Sequence, residues 1–186
     1  VPELGSGPLR VQQFDAGQSN PTFLIDRGEA RWVLRKKPPG KLLPKAHAVE
    51  REHRVMAALA DTGVPVPQVF ALCEEAGVIG TPFVLMEHVE GRIFFDATMP
   101  DETPAMRAAV FAQMPRVLAA LHGVDFEAVG LGDFGRPGNY FARQISTWTR
   151  QFRAAETEVI APMNALMVWL EQHIPQDDHT TLVHGD

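Results

Sequence analysis

The sequence predicts an α+β fold, in which a small sheet-rich N-terminal lobe with one main helix precedes a mostly helical lobe. The first third of the chain alternates short apolar runs with turn-forming residues. One segment with helical spacing interrupts these runs, and helical spacing prevails after Gly91. We therefore expect an N-terminal lobe over residues 1–88 and a helical lobe over residues 89–186, with a cleft between them.

Five strands are predicted in the N-terminal lobe. The first three cover residues 9–14, 22–26 and 31–35, and the turn formers RGEA join the second and third as a hairpin. The adjacent prolines of KKPPGK then end the pattern, because proline cannot continue a hydrogen-bonded ladder. The last two strands are expected over residues 70–74 and 83–87.

The main helix of this lobe is predicted over residues 45–61. Val49, His53, Met56 and Leu59 recur there at helical spacing, and a Thr-Gly pair closes the segment. The same kind of spacing predicts helices in the second lobe over residues 104–122, 140–158 and 163–173.

Composition excludes several classes of function. The chain has 186 residues, of which 45% are apolar, and a net charge of −6, so it has no overall basic character to indicate nucleic-acid binding. No apolar run approaches the roughly 20 residues that span a bilayer, and the first residues lack the pattern of a signal peptide. Cys73 is the only cysteine, so no disulfide forms within the chain. We expect a cytoplasmic protein that binds neither nucleic acid nor membranes; its oligomeric state is not indicated.

A carboxylate lies on the apolar side of the main helix. Glu52 follows Val49 by three positions and precedes Met56 by four, and a buried carboxylate is costly without a cation. Alternation along the third strand places Val33 and Arg35 on one face, so Arg35 is a candidate partner. The pair would aim a guanidinium into the cleft. Two plainer interpretations stay open: a salt bridge that only holds the helix, or pairing of Glu52 with an arginine of its own helix.

Two further stretches have the composition of a nucleotide site. The turn AGQSNPTF offers small residues whose backbone N–H groups could approach phosphate oxygens, namely Gly17, Gln18, Ser19 and Asn20. It contains neither common phosphate-loop motif, and an ordinary hairpin turn is the plainer interpretation. The strand FVLMEHVEG has edge groups that could pair with a flat heterocycle, although an interlobe linker would look the same.

The stretch LVHGD ends in Asp186. A carboxylate on a tight turn after a buried strand is well placed to act as a general base toward a hydroxyl, and a turn aspartate that caps the next element is the alternative. The histidines show no paired spacing, so no histidine metal site is predicted.

Taken together and in order, these stretches resemble the aminoglycoside phosphotransferase-like branch of the protein-kinase-like fold. The matching segments are GQSNPTF, VLRKKPPGKLLPKAHAVEREHRVM, GVPVPQV, GTPFVLMEHVEGRIF and LVHGD. The chain looks similar to the kinase-like domain of acyl-CoA dehydrogenase fusion proteins and their stand-alone bacterial relatives. The resemblance implies a nucleotide-binding N-terminal lobe and the first part of a helical lobe.

The resemblance implies roles for the matched positions of the N-terminal lobe. Residues 17–20 look like the loop that covers the nucleotide phosphates. Arg35 stands where the family's third-strand cation, often a lysine, contacts those phosphates, and its different shape leaves the contact geometry open. Glu52 matches the helix carboxylate that holds this cation. Val33 is expected to line the adenine pocket.

Further matches concern the interlobe hinge and the catalytic loop. Glu87, His88 and Val89 match the hinge, with Glu87 C=O and Val89 N–H as adenine partners. Asp186 matches the catalytic aspartate of a loop that begins H-G-D. The chain departs from the family by stopping there, so we expect a truncated C-terminal lobe, with the usual magnesium ligands downstream of residue 186 and no activity in the 186 residues alone.

The implied function is ATP-dependent phosphoryl transfer to a hydroxyl of a small metabolite, with Mg²⁺ as the second cofactor. The resemblance to fusion proteins suggests a hydroxyacyl group or its CoA ester as acceptor. Lys36, Lys37 and Lys41 could meet a CoA phosphate, although a solvated surface run is the plainer interpretation. A nucleotide-binding pseudokinase without turnover is the alternative function. An oxidoreductase is a third, but no flavin-binding glycine motif is present.

Overall fold

The computed structural model describes residues 7–15, 19–40, 47–176 and 179–185. By compactness the chain divides into two units: one runs to Val124 and resumes at Val183, and the other is Asp125–Leu182. The predicted lobe boundary after residue 88 stays a prediction.

The first unit is built on a five-stranded antiparallel sheet. Its strands lie in the order β1-β2-β3-β5-β4. Their bounds are β1 Arg10–Gln13, β2 Thr22–Arg27, β3 Ala30–Lys36, β4 Val69–Cys73 and β5 Phe83–Glu87. The predicted α+β class and all five predicted strands are confirmed, with ends that differ by at most one residue.

A helix, α1, covers one face of this sheet and contacts β4 and β5. It spans Val49–Leu59. Val49 and Val84 are fully buried between helix and sheet, and Met86 completes this core cluster. Val33 packs against the cluster from β3, so the predicted inward face of that strand is correct. Removing such apolar surface from water is the main force that holds α1 on the sheet.

The helix starts later than the sequence predicts. His47 has a φ of 58°, in the left-handed region, and Ala48 is not helical either. A right-handed helix cannot pass through a left-handed residue, so the predicted start at residue 45 is wrong. The structure also adds a one-turn helix, α2 (Ala76–Ile79), in the connection between β4 and β5.

Three more helices follow, and each is near its predicted position. α3 spans Pro104–His122 in the first unit; its Thr103 hydroxyl accepts a hydrogen bond from Met106 N–H and caps the helix. In the second unit α4 spans Tyr140–Ala155 and α5 spans Ala161–Gln172, and the two contact each other. α4 ends before its predicted limit because Glu156 is extended.

The expected strand before the final turn is absent. Residues 179–185 have no regular secondary structure, and Val183 is 66% exposed. A strand needs a hydrogen-bonded neighbouring strand, and none of the described strands forms a ladder with these residues. Within the described ranges, no helix combines the length and apolar character needed to cross a membrane.

The buried core of the first unit can be tested at Val84. Val84→Ala should lower the free energy of unfolding by about 2 kcal/mol, because two methyl groups leave a site with no exposure. Val11→Ala removes the same atoms from a strand residue that is 57% exposed and should change stability by less than about 0.5 kcal/mol. Urea unfolding followed by circular dichroism measures both, and equal effects would contradict this description of the core.

Candidate functional site

The centre of the candidate site is an ion pair between the sheet and the helix. Arg35 Nε donates to Glu52 Oε2 at 2.7 Å. Arg35 lies on the same face of β3 as Val33, and Glu52 lies on the side of α1 that carries Val49 and Met56. The side chain of Arg35 is 27% exposed and that of Glu52 is 35% exposed, so the pair lies at the edge of the core and is accessible to solvent. The predicted Arg35–Glu52 pair is therefore present, and its role in nucleotide binding stays a prediction.

Thr22 holds the other side of the guanidinium. It is the register partner of Arg35 on β2, and its hydroxyl accepts from Arg35 Nη1 at 3.0 Å. The described residues supply no partner for Arg35 Nη2. The described part of the chain thus leaves one nitrogen of a firmly held cation unused, which fits the phosphate contact that the family resemblance implies.

Asn20 is the member of the predicted phosphate loop that reaches this pair. Its side chain is 2% exposed, and its Nδ2 donates to Glu52 Oε1 at 3.0 Å. Its Oδ1 lies 2.9 Å from Nδ1 of His47. Both polar ends are occupied within the protein, so its side chain serves Glu52 in this structure. Ser19 is exposed, whereas Gly17 and Gln18 lie outside the described residues.

The predicted hinge residues lie next to Val33. Glu87, the last residue of β5, pairs in register with Trp32, while Val33 pairs with Met86 and Arg35 with Val84. Glu87 N–H donates to Gln68 C=O at 2.8 Å, and its carboxylate accepts from Gln68 N–H at 3.0 Å. Val89 follows in an irregular segment and is 63% exposed. One end of β3 thus lies beside the predicted hinge, and the other end carries Arg35.

The structure describes the end of the chain only as far as Gly185. Asp186, the predicted catalytic residue, lies outside the described residues. His184 is exposed. Within the described ranges, no group of three or more His, Cys, Asp or Glu side chains is arranged to hold a metal ion.

A second ion pair joins the same two elements. Lys37, just after β3, donates from Nζ to Glu50 Oε1 at 2.8 Å. Partial burial acts to raise the pKa of the Glu50 carboxyl, but the hydrogen bond and charge of Lys37, with a backbone hydrogen bond, hold that pKa below its ordinary value. Lys36 Nζ meanwhile donates to Ile79 C=O. Lys36 and Lys37 therefore form protein contacts, and Lys41 lies outside the described residues.

Sequence reasoning missed Thr22 and His47. Thr22 could have been predicted from the sequence, because a two-residue turn at Gly28 and Glu29 sets a register in which Thr22 pairs with Arg35. His47 carried no such signal, since the segment before it has no periodic pattern and its own left-handed backbone cannot be read from its neighbours.

Comparison with known proteins places these features in a family. Residues 10–186 match the model of a phosphotransferase enzyme family. A candidate aminoglycoside phosphotransferase from Ralstonia eutropha, of solved structure, shares 52% identity with a TM-score of 0.83 over 99% of this chain and 54% of its own. The similarity and the fold predicted from the motifs are thereby confirmed.

Curated relatives are much longer than the chain. Acyl-CoA dehydrogenase family member 10 of Mus musculus is 52% identical over 97% of the chain and 17% of its own length. Acyl-CoA dehydrogenase family member 11 of Rattus norvegicus is 47% identical over 100% of the chain and 24% of its own. The chain thus spans less than a quarter of these two proteins.

The Lys37–Glu50 pair predicts an acid-sensitive contribution to stability. Because the folded state lowers the pKa of Glu50, the stabilisation is present above the ordinary glutamate pKa and is lost as the pH falls through the lowered value. Lys37→Met should cost up to about 1 kcal/mol at neutral pH and less in acid, since the pair is partly exposed. Unfolding free energies at pH 7 and in acid measure the difference.

Glu50→Gln is the matched control for that measurement. In this background the effect of Lys37→Met should no longer depend on pH, because the titrating carboxyl is gone. A pH dependence that survives Glu50→Gln would show that another group is responsible.

Proposed function

The chain belongs to the phosphotransferase enzyme family. We propose that it provides the nucleotide-binding part of an enzyme that transfers a phosphoryl group from ATP to a hydroxyl of a small metabolite. We call Arg35, with its partners Glu52 and Thr22, the nucleotide grip. The observation that carries this proposal is the Arg35 guanidinium, held on one side by Glu52 and on the other by Thr22. Phosphoryl transfer depends mainly on positioning and on neutralising phosphate charge, and a cation fixed in this way suits both needs.

The order of residues along β3 supports a direction for the bound nucleotide. The hinge residues Glu87 and Val89 lie toward the Trp32 end of the strand, Val33 comes next, and Arg35 is two residues farther along the same face. Two strand residues span about 6.6 Å. An adenine bonded to Glu87 C=O and Val89 N–H would cover Val33 and direct its phosphates toward Arg35.

The remaining steps rest on residues near and beyond the chain's last position. In this proposal Asp186 orients the acceptor hydroxyl and accepts its proton as the phosphoryl group transfers. Backbone N–H groups of residues 17–20 approach the phosphates. Mg²⁺, with ligands expected downstream of residue 186, would neutralise charge on the phosphate oxygens.

For the acceptor we propose a hydroxyacyl compound or its CoA ester. The support is the similarity to relatives named acyl-CoA dehydrogenases, one of them 52% identical. Lys36 and Lys37 give no such support, because Lys37 is paired with Glu50 and Lys36 with Ile79 C=O. Recognition of the acyl group is therefore assigned to other parts of the enzyme.

A pseudokinase that binds nucleotide without turnover is the second candidate. Its supporting observation is the arginine at position 35, where many relatives have lysine, with Nε and Nη1 both used inside the protein. Both candidates bind nucleotide, but only the enzyme would transfer a labelled phosphoryl group from ATP to an acceptor.

The nucleotide grip predicts a loss of binding on removal of the cation. Arg35→Met in the full-length protein should weaken MgATP binding about tenfold or more, because a charge-assisted hydrogen bond to phosphate is lost. Arg153→Met breaks a surface ion pair between α4 and Glu156, the residue that follows this helix, and should leave binding unchanged. Isothermal titration measures both variants, and equal affinities would exclude this role for Arg35.

The proposed base predicts a different pattern. Asp186→Asn should lower turnover by about a hundredfold or more while MgATP affinity stays, because the amide cannot take the proton. Label transfer from ATP to a panel of hydroxy acids and their CoA esters measures turnover, and Asp101→Asn, at an exposed turn, is the control. Full turnover by Asp186→Asn would remove that residue from the mechanism, and no transfer by the unaltered protein to any acceptor would favour the pseudokinase.

A further inference from the structure

The ion pair is part of a larger hydrogen-bonded network that begins at Asn20. Among the described residues, Asn20 is the only polar residue that is almost completely buried. Burying an amide is costly unless its donor and acceptor are both satisfied. Here Glu52 accepts from one end and His47 contacts the other. The amide therefore joins the segment before α1 to the carboxylate on α1.

The direction of each hydrogen bond follows from chemistry. An ionised Glu52 carboxylate can only accept, so the Asn20 amide presents its Nδ2 to Glu52 and its Oδ1 to His47. That oxygen can only accept in turn, so His47 must carry a proton on Nδ1. The order of donation is therefore His47 to Asn20 to Glu52, and Arg35 meets the same carboxylate from its other oxygen.

A second connection closes the network into a ring. The Thr22 hydroxyl donates to the backbone C=O of Asn20 at 3.0 Å and accepts from Arg35 Nη1. Arg35 is thus tied to Asn20 twice, through the Glu52 carboxylate and through Thr22. Every hydrogen bond in the ring has a donor and an acceptor that match, which favours a single orientation of the guanidinium.

The backbone of His47 indicates that this contact is specific. A non-glycine residue at a φ of 58° is uncommon, although histidine is among the residues that adopt it more often. Such a conformation persists only where its surroundings favour it. The hydrogen bond to Asn20 provides a favourable contact at this position.

We propose that Asn20 and His47 are positioning residues for phosphate binding: they fix the Glu52 carboxylate, and thereby the Arg35 guanidinium, so that Nη2 faces the nucleotide. This inference rests on the proposed nucleotide grip. In it, the function of the Asn20 side chain is to hold the Glu52 carboxylate. His47 acts two contacts away from the cation, with no contact to the nucleotide of its own.

The test measures MgATP affinity in the full-length protein by isothermal titration. Asn20→Leu keeps the approximate shape and removes both hydrogen bonds, and His47→Phe keeps a ring and removes the donor. Asn20→Leu should weaken MgATP binding about tenfold, because it removes a hydrogen bond to the charged Glu52 carboxylate, and His47→Phe should weaken it about threefold, because its hydrogen bond is to a neutral amide. The His47→Asn variant should retain most of the affinity, because the asparagine amide nitrogen can replace the Nδ1 donor of His47 and asparagine tolerates a left-handed backbone.

A double-mutant cycle separates positioning from general destabilisation. If the two residues act through Arg35, then Asn20→Leu and His47→Phe should cause little further loss in the Arg35→Met background. Lys37→Met is the matched control, since it breaks the neighbouring contact between β3 and α1 and should leave MgATP affinity unchanged.

The outcomes distinguish the inference from the function on which it rests. Absence of MgATP binding by the unaltered protein would overturn both. Binding that falls with Arg35→Met but not with His47→Phe, or losses that add fully in the double variants, would overturn the positioning role alone. Should Asn20→Leu fold poorly, His47→Phe and His47→Asn decide the question, because His47 is only partly buried.

Discussion

The contact between the Arg35 guanidinium and the Glu52 carboxylate constrains the arrangement of the whole sheet-and-helix unit. It requires β3 to present its odd-numbered residues toward α1 and requires α1 to turn the side that carries Val49 toward the sheet. A one-residue slip of β3 would send Arg35 to the opposite face and leave Glu52 without its cation. The apolar core made by Val49, Val84 and Met86 satisfies the same requirement. Packing and charge thus specify one register, and their agreement makes the pairing unique.

Much of this arrangement could be predicted because it depends on local patterns. Alternation along WVLR placed Val33 and Arg35 on one face, and helical spacing placed Glu52 beside Val49; both depend on neighbours a few residues away. The turn RGEA likewise sets the pairing of β2 with β3. The observed strands and the ion pair follow from these rules.

The parts that sequence reasoning missed depend on partners far along the chain. His47 leaves the helical conformation where Asn20, 27 residues away, provides its contact, and no periodicity near residue 45 signals this. Asn20 looked like a surface turn residue in the company of Gly17 and Ser19, yet its side chain is 2% exposed. Leu182 and Val183 have the apolar character of a strand, but none of the described strands forms a ladder with them. At His47 and Asn20 a tertiary contact overrides the local conformational preference. At the final apolar residues the local preference for a strand is not supported by a neighbouring strand.

The arginine at position 35 is better suited to this network than a lysine would be. A lysine ammonium is a single nitrogen at the end of a flexible stem, whereas a guanidinium directs donors from three nitrogens in one plane. Arg35 uses Nε for Glu52 and Nη1 for Thr22, and those two bonds orient the plane in which Nη2 lies. Lys37, with one nitrogen bonded to Glu50, has no comparable fixed direction and serves to fasten α1. An arginine at position 35 therefore has one fixed orientation here, because Glu52 and Thr22 provide acceptors that match the planar guanidinium.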